Sequence, residues 1–399
     1  MDRDNSKMKE YKVAKGWAIF IYIVAPVLIG VFLWVLGIQL TSLTGNNISL
    51  AAQGFLILIS IAMIALMIIG LIDTIKGKVV IDNDKIYTIS VFSSRQLMFD
   101  EIKGYRLNDK FILIEPTVQA KKKIKISTYF SKTNEIVDWL ATHYSDLDLL
   151  DAETEKQEIL NNAEFGWTTE QREEKLEQAK KASKILNWAG GIAGAWAWFF
   201  ASPYEYAIIA CLVIPIVAIL VFRFFRGLIR IDEKIKGAHP NVLWAIFFPS
   251  AALGIRALMD FNIFDYSHVW TPTLVISVIC VGLLLIGNKE FNYRQLKDYL
   301  GVFSACLFIA FYSFGSVIIL NCLYDKSEPE VFQAKILNKR KSSGKSTSYY
   351  FELTAWGKRE KADEVTVYKE LYEQLDVNDE VNIYFQKGEF EIPWFIVTE

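Results

Sequence analysis

The sequence contains few of the residues from which catalytic and metal sites are usually built. Its 399 residues include three histidines and four cysteines, and none of them stands in a CxxC or HExxH spacing. P-loop, GxGxxG and GxSxG motifs are also absent. We therefore expect no catalytic residue, no cofactor and no metal site, and we predict that the protein is not an enzyme.

An excess of charge of either sign is also missing. The formal net charge of −2 gives no general attraction to nucleic acid, so we expect no nucleic-acid partner. The four cysteines lie within or beside apolar runs, which favours small buried side chains over a disulfide framework.

Charge is missing altogether from several long stretches. Trp17 to Ile38 and Leu50 to Ile72 carry no charged residue, and each is long enough to cross a hydrocarbon core of roughly 30 Å. Lysines precede the first run and follow the second, whereas the linker between them has no Lys or Arg. The positive-inside rule therefore predicts a hairpin with both ends in the cytoplasm.

Five further spans are predicted in the second half of the chain. They cover Ile185 to Ser202, Tyr206 to Phe222, Asn241 to Phe264, Trp270 to Gly287 and Tyr299 to Leu323. The third is doubtful because Arg256 and Asp260 interrupt it, but the distribution of basic residues among the loops favours a span. This gives about seven transmembrane helices and places the C-terminal residues outside the cytoplasm, in a multi-pass protein of the cell (inner) membrane.

Two short patterns within these spans concern helix packing and charge. Gly190 and Gly194 form a small-xxx-small spacing that lets two helices approach closely. Arg256 and Asp260 stand four residues apart near the outer end of a span, where they are a candidate intramembrane pair.

The polar segment 76–148 separates the hairpin from the later spans and is rich in short strands. β-Rich runs at Lys78 to Asp82 and Lys85 to Val91 flank a tight-turn sequence of Asp and Asn. Four more runs are followed by a predicted helix over Ser131 to Tyr144, capped by Ser131 or Thr133. The runs cover Arg95 to Phe99, Ile102 to Leu107, Phe111 to Glu115 and Lys123 to Tyr129. About six antiparallel strands closed by one helix is the order of a pleckstrin-homology-like (PH-like) barrel.

This segment resembles the PH-like domains that are attached to transmembrane hairpins in uncharacterised bacterial multipass membrane proteins. The resemblance rests on Val80-Ile81-Asp82, on Phe99-Asp100-Glu101-Ile102-Lys103-Gly104-Tyr105 and on Ile136-Val137-Asp138-Trp139-Leu140. It implies a bacterial cell-membrane protein whose PH-like domain is cytoplasmic. The acidic first turn lacks the basic residues of phosphoinositide-binding PH domains, so inositol-phosphate recognition does not follow.

The last segment, 325–399, is again strand-rich. Five short strands, with a turn at Ser342 to Lys345, predict a small all-β barrel of the OB or SH3-like type. Leu375 to Val381 and Gly388 to Phe395 resemble small extracytoplasmic β-domains of uncharacterised bacterial membrane proteins.

The predicted fold is thus a polytopic α-helical membrane protein with an inserted PH-like barrel and a small C-terminal β-domain. Its parts are a basic cytoplasmic N-terminus (1–16), a transmembrane hairpin (17–75), the PH-like domain (76–148), a charged helical connector (149–184), a membrane domain of about five helices (185–324) and the barrel (325–399). The connector is interpreted as a solvated link to the membrane, with an interaction or assembly helix as the alternative. No oligomeric state follows from the sequence.

The strongest basic cluster lies in the PH-like domain. Strand alternation places Lys121, Lys123 and Lys125 on one face, opposite Ile124 and Ile126. Three cations at a membrane surface attract anionic lipid, so they are candidate contacts to lipid or to a partner. The alternative is an ordinary solvated strand face.

These observations favour a membrane-anchored binding or assembly module. Its PH-like domain would contact lipid headgroups of the bilayer or a protein partner, with the connector helix as a second place for a protein to bind. A transporter or transporter subunit is the first alternative, and a membrane-embedded enzyme is the second. No charged residue falls at the middle of a predicted span, which disfavours a proton- or sodium-coupled transporter.

Overall fold

A computed structural model describes residues 8–41, 50–118, 120–231, 236–286, 288, 290–291, 293, 296–343 and 347–399. The chain divides into two compact units. The first unit comprises Met1–Glu155 with Ile235–Gly237, and the second comprises Lys156–Lys234 with Ala238–Glu399.

The first unit contains a two-helix hairpin and a small β-domain. Its elements are β1 (Lys9–Lys12), α1 (Lys15–Thr41), α2 (Leu50–Lys76), β2 (Lys78–Ile81), β3 (Lys85–Ile89), β4 (Ser94–Met98), β5 (Ile102–Leu107), β6 (Phe111–Pro116), β7 (Ile124–Ser127) and α3 (Thr133–His143). A further helix, α4 (Leu147–Asn161), begins in this unit. The predicted strands between residues 78 and 129 are all present, with bounds that differ by a few residues.

The strands of the first unit form two antiparallel sheets. One sheet has the order β1-β2-β3-β4 and the other has the order β5-β6-β7. Helix α3 packs on their shared core through Ile136 and Leu140, which are fully buried. We call these seven strands and α3 the N-terminal β-domain.

Strand β1 was not predicted from the sequence, which read residues 1–16 only as a basic segment. Lys9 to Lys12 pair in antiparallel register with Ile81 to Lys78, and Tyr11 is buried in the core. The hairpin α1–α2 is therefore inserted between the first and second strands of one sheet. The sequence hides this pairing because the partner strands are separated by both apolar helices.

The N-terminal cap of α3 also differs from the prediction. The cap is Lys132, whose backbone is left-handed (φ 56°) and whose side chain makes no capping bond, rather than Ser131 or Thr133. Packing of Ile136 and Leu140 on the sheets holds this helix in place without the predicted cap.

The second unit contains a helical bundle and a C-terminal barrel. Its elements after α4 are α5 (Thr169–Phe199), α6 (Tyr204–Phe224), α7 (Leu243–Asp260), β8 (Asn262–Ile263), α8 (Trp270–Leu285), α9 (Leu296–Leu323), β9 (Glu330–Ser343), β10 (Thr347–Leu353), β11 (Asp363–Val367), α10 (Lys369–Gln374), β12 (Glu380–Gln386) and β13 (Trp394–Thr398). Thr168 caps α5, because its side chain accepts a hydrogen bond from the Gln171 N–H.

Five helices of the described chain are long and apolar enough to cross a membrane by length and composition: α1, α2, α6, α7 and α9. Helix α8 is apolar but has only 16 residues, and the apolar half of α5 continues a charged half without a break. The chain is thus a mixed protein of candidate membrane helices and β-sheets.

The doubtful helix α7 packs against α5, α6 and α9 in the bundle. Close approach depends on glycines, because a Cβ at Gly190 would lie 2.6 Å from the Ala245 Cα and one at Gly194 would lie 2.7 Å from the Phe248 Cβ. The predicted small-xxx-small spacing is therefore confirmed as the contact of α5 with α7.

The C-terminal barrel is a six-stranded antiparallel sheet of order β11-β10-β9-β12-β13-β8. Its two edges meet where the Asn262 side chain donates to the Thr366 carbonyl at 3.1 Å, so the barrel is nearly closed. Strand β8 is contributed by the connection between α7 and α8, at residues that the sequence analysis assigned to the end of the predicted span Asn241 to Phe264. Of the turn predicted at 342–345, residues 344 and 345 lie outside the described part of the chain.

The barrel is joined to the end of α9 by two buried or half-buried polar residues. Asn321 donates to the Ile392 carbonyl at 2.9 Å and accepts from the Phe390 N–H at 2.9 Å. Asp325 accepts from the Gly388 N–H and from the Trp394 indole, each at 2.8 Å. The barrel therefore has a fixed position on the bundle.

Candidate functional site

The three predicted lysines of the N-terminal β-domain are not equivalent. Lys121 is ion-paired with Glu101, and Lys123 is ion-paired with Glu115 at 2.5 Å. The Lys125 ammonium lies 3.5 Å from the centre of the Phe111 ring. Ile124 and Ile126 are fully buried, as the alternation predicted.

The carboxylates that pair with these lysines are held in their charged form. The hydrogen bonds from Lys121 and from the Met98 N–H lower the pKa of Glu101. Burial by itself would raise the pKa of Glu115, but Lys123 and Arg106 outweigh this effect and lower it. Two of the three lysine charges are thus already balanced within the domain.

A groove beside this cluster offers cations of a different kind. It has a volume of about 360 Å³ and is lined by Ser94, Arg95, Gln96, Met98, Glu101, Lys121 and Lys122. Arg95 donates to the Lys123 carbonyl at 2.7 Å, and within the described residues neither Arg95 nor Lys122 has a carboxylate partner. We call this the Arg95 groove. Strand alternation excluded Lys122 from the predicted site, and Arg95 is too distant in sequence to be grouped with it.

One end of the N-terminal β-domain lies at the ends of the apolar helices. Lys78 follows α2 almost directly, and the Val91 N–H donates to the Asp73 carboxylate of α2 at 3.0 Å. The Trp17 ring of α1 lies 4.4 Å from the Tyr129 ring. We call this the membrane end of the domain.

Phe92 is located at the membrane end, in the loop between β3 and β4. Its side chain is 77% exposed, although Phe is among the residues most often buried. The Arg95 groove begins two residues later at Ser94. An exposed aromatic ring therefore lies close in sequence to a groove in which two cations, Arg95 and Lys122, have no carboxylate partner among the described residues.

Arg256 and Asp260 are brought together by the structure. Their side chains form an ion pair at 3.2 Å, and the Tyr204 hydroxyl donates to Asp260 at 2.9 Å. Arg256 also donates to the carbonyls of Ala197 at 2.7 Å and Trp198 at 3.2 Å, at the end of α5. All of these partners are protein groups, so the arrangement ties the ends of α5, α6 and α7 together.

A further cavity is in the second unit, at the opposite end of the bundle from Arg256. It has a volume of about 720 Å³, and its charged lining comes from α4, α5 and the loops at the ends of α6, α7 and α8. Sequence reasoning missed it because its residues share no motif or spacing.

The described residues contain no group of three or more His, Cys, Asp or Glu side chains that could hold a metal ion. Comparison with protein-family models, curated proteins and solved structures finds no match to this chain. Function is therefore inferred from the geometry and charge of the described residues.

Proposed function

We propose that the protein is a non-enzymatic, membrane-anchored binding module whose N-terminal β-domain contacts anionic lipid headgroups. The observation that carries this proposal is the membrane end, where the loop that holds Phe92 contacts the last turn of α2 and the Arg95 groove begins two residues further along the chain. Helices α1 and α2 enter the domain through β1 and β2, so both of its tethers end on the same side.

The residues at the membrane end have the chemistry of a lipid interface. Aromatic side chains such as Phe92 bury apolar area at the boundary of headgroups and acyl chains. Arg95 and Lys122 stand where phosphate groups would lie, and each basic residue near an anionic surface contributes about 1 kcal/mol. The lipid contact is thus assigned to Arg95 and Lys122 in place of the residues predicted from the sequence, which are Lys121, Lys123 and Lys125.

Two further features belong to the same proposal. A four-stranded and a three-stranded sheet closed by a helix agree with the PH-like resemblance. A seven-span topology counts α5 and α8 with the five longer helices; α8 would be about 24 Å long. This topology places the N-terminal β-domain in the cytoplasm and the C-terminal barrel outside it.

The depth of Phe92 tests the proposal. In the full chain reconstituted into nanodiscs, an environment-sensitive fluorophore on Phe92→Cys should be quenched by spin-labelled lipid. The matched control is Asn83→Cys, because Asn83 is exposed in the β2–β3 turn, at the opposite end of strand β3 from Phe92. Equal quenching at both positions, or at neither, would contradict the proposed membrane contact.

Headgroup selectivity tests the groove. A photo-crosslinker at Gln96 should capture phosphatidylserine in preference to phosphatidylcholine, and Lys122→Gln should reduce that preference. Capture of a protein in place of lipid would favour the protein-partner alternative. Substrate-dependent uptake by liposomes containing the protein would overturn the binding-module function in favour of a transporter.

A further inference from the structure

The 720 Å³ cavity of the second unit is of the size of small-molecule sites, which span roughly 300–1,000 Å³. We call it the Arg226 cavity, lined among others by Glu158, Ile159, Lys175, Arg226 and Ile229. It shares no lining residue with the Arg95 groove. The inference therefore goes beyond the function proposed for the N-terminal β-domain.

One wall of the cavity is built by a fixed turn after α4. Arg172 donates to the carbonyls of Leu160 at 2.6 Å, Gly166 at 2.8 Å and Trp167 at 3.3 Å, which closes the turn. The Phe165 ring then lies against Gly227, where a Cβ would be 3.3 Å from the ring. Gly227 has a φ of 78°, a backbone conformation that favours glycine. The cavity is thus formed by the fold itself.

Two polar side chains of the lining, those of Glu290 and His239, form hydrogen bonds with the protein backbone. The Glu290 carboxylate accepts from the Ile231 N–H at 2.8 Å, and the His239 Nδ1 donates to the Leu228 carbonyl at 2.9 Å. Glu164 and Arg230 also have partners in the structure. These four groups shape the cavity and are not assigned to a ligand.

Lys175 and Arg226 differ from these four residues in their lack of protein partners within the described part of the chain. Neither side chain has an ion-pair or hydrogen-bond partner among the described residues, yet both line the cavity. Ile159 and Ile229, each only 2% exposed, provide apolar wall beside them. Guanidinium and ammonium groups next to an apolar wall match an anion that carries an apolar part.

We propose that the Arg226 cavity binds a ligand with a phosphate group. Phe224 lines the cavity at the last turn of the apolar helix α6 and is 75% exposed. The cavity therefore lies at the end of a candidate span, where a membrane spanned by α6 would bring lipid phosphates close to it. The phosphate belongs either to a phospholipid headgroup or to a small organic phosphate, and both present the same group to Lys175 and Arg226.

The test uses two matched pairs of probes on the purified full chain. Native mass spectrometry compares phosphatidic acid with diacylglycerol of the same chains, and calorimetry compares glycerol 3-phosphate with glycerol. Preferential binding of phosphatidic acid alone identifies a lipid ligand, and preferential binding of glycerol 3-phosphate identifies a soluble one. If neither phosphate probe binds better than its neutral partner, the proposal is wrong.

Substitutions assign any such binding to the cavity. Arg226→Gln and Lys175→Gln should each weaken phosphate binding by about tenfold or more, as expected for loss of a charge-assisted hydrogen bond. Lys180→Gln on the same helix is the matched control, because Lys180 pairs with Glu177 at 2.8 Å and does not line the cavity. Glu158→Gln removes a negative charge from the lining and should tighten binding severalfold. If Arg226→Gln and Lys175→Gln bind phosphate as strongly as the control Lys180→Gln, the ligand binds elsewhere and the proposal is wrong.

Discussion

At the residue scale, Asp325 shows how one carboxylate fixes two parts of the second unit. Its oxygens accept from the Ser327 N–H, the Gly388 N–H and the Trp394 indole, all at 2.8 Å. Burial alone would raise the pKa of Asp325, but these hydrogen bonds outweigh burial and lower it. The carboxylate is therefore charged in the folded protein, and two of its three partners, Gly388 and Trp394, belong to the C-terminal barrel.

We expect Asp325→Asn to lower the free energy of unfolding by about 1–3 kcal/mol at neutral pH, because a charged acceptor is lost. Since the folded pKa is lowered, the contribution of Asp325 is complete above its usual value of about 3.9 and is lost as the pH falls through the lowered pKa. The difference between the two proteins should therefore shrink in acid. Thermal unfolding in detergent between neutral and acidic pH measures this.

The control is Asp265→Asn, since Asp265 is exposed and, among the described residues, accepts hydrogen bonds only from nearby Ser267. A stability difference for Asp325→Asn that stays constant into acid would contradict the assigned role of the carboxylate.

At the scale of single elements, α7 changes most between sequence and structure. Arg256 and Asp260 made it the weakest predicted span, yet it packs against three other helices of the bundle. Its small residues let α5 approach at Ala245 and α9 at Gly254. Arg256 and Asp260 near its end form hydrogen bonds with carbonyls and a hydroxyl of neighbouring helices. These tertiary contacts offset the free energy of burying polar groups in the bundle.

Glycine substitutions in α5 test this contact. Gly190→Ala and Gly194→Ala should each destabilise the protein by about 1–3 kcal/mol, because the added Cβ overlaps α7. Gly191→Ala is the matched control, since the nearest atom to its Cβ would be 4.0 Å away, and alanine favours the helix. In thermal unfolding, Gly190→Ala and Gly194→Ala should unfold at lower temperatures than Gly191→Ala. Equal stabilities would show that α5 and α7 do not pack as described.

Strand β1 is the other element that the structure revealed. Tyr11 is 3% exposed and packs in the same core as Ile86 and Leu97. Tyr11→Ala should therefore destabilise the N-terminal β-domain by about 3–5 kcal/mol, as for other large aromatic truncations. Met8→Ala, one residue before the strand and 55% exposed, should have little effect. Limited proteolysis of the full chain in detergent reports the difference, and equal protection of both variants would argue against β1.

At the scale of the whole molecule, the order of elements makes a topological prediction. An odd number of spans places the two β-domains on opposite sides of the membrane, as the proposed seven-span topology requires. Charges behind α9, such as Lys326 and Lys335, do not oppose this placement strongly, because long domains cross membranes largely regardless of charge.

Asn83→Cys and Ala362→Cys, both at exposed positions, should react with a membrane-impermeant maleimide from opposite sides. The unsubstituted protein controls for its own cysteines, of which Cys211, Cys280 and Cys322 are buried and Cys306 is half-buried. Labelling of both positions from one side would exclude seven spans.

The sequence by itself determined the local features of this protein. Uncharged runs predicted the apolar helices, and alternation with turn residues predicted strands β2 to β7, because these signals depend on neighbours within a few residues. The glycine spacing of α5 was likewise readable from the sequence. Burial of Cys211, Cys280 and Cys322 followed from the apolar runs that surround them, whereas Cys306 is only half-buried.

Only the tertiary structure decided which distant segments meet. It paired β1 with β2 across the whole hairpin and added β8 to the C-terminal barrel. It also placed Arg95 and Lys122 in one groove, and Lys175 and Arg226 in one cavity. It also paired Lys121 and Lys123 with carboxylates that alternation could not foresee. Such contacts depend on packing between segments far apart in sequence, and the candidate sites are made of these contacts.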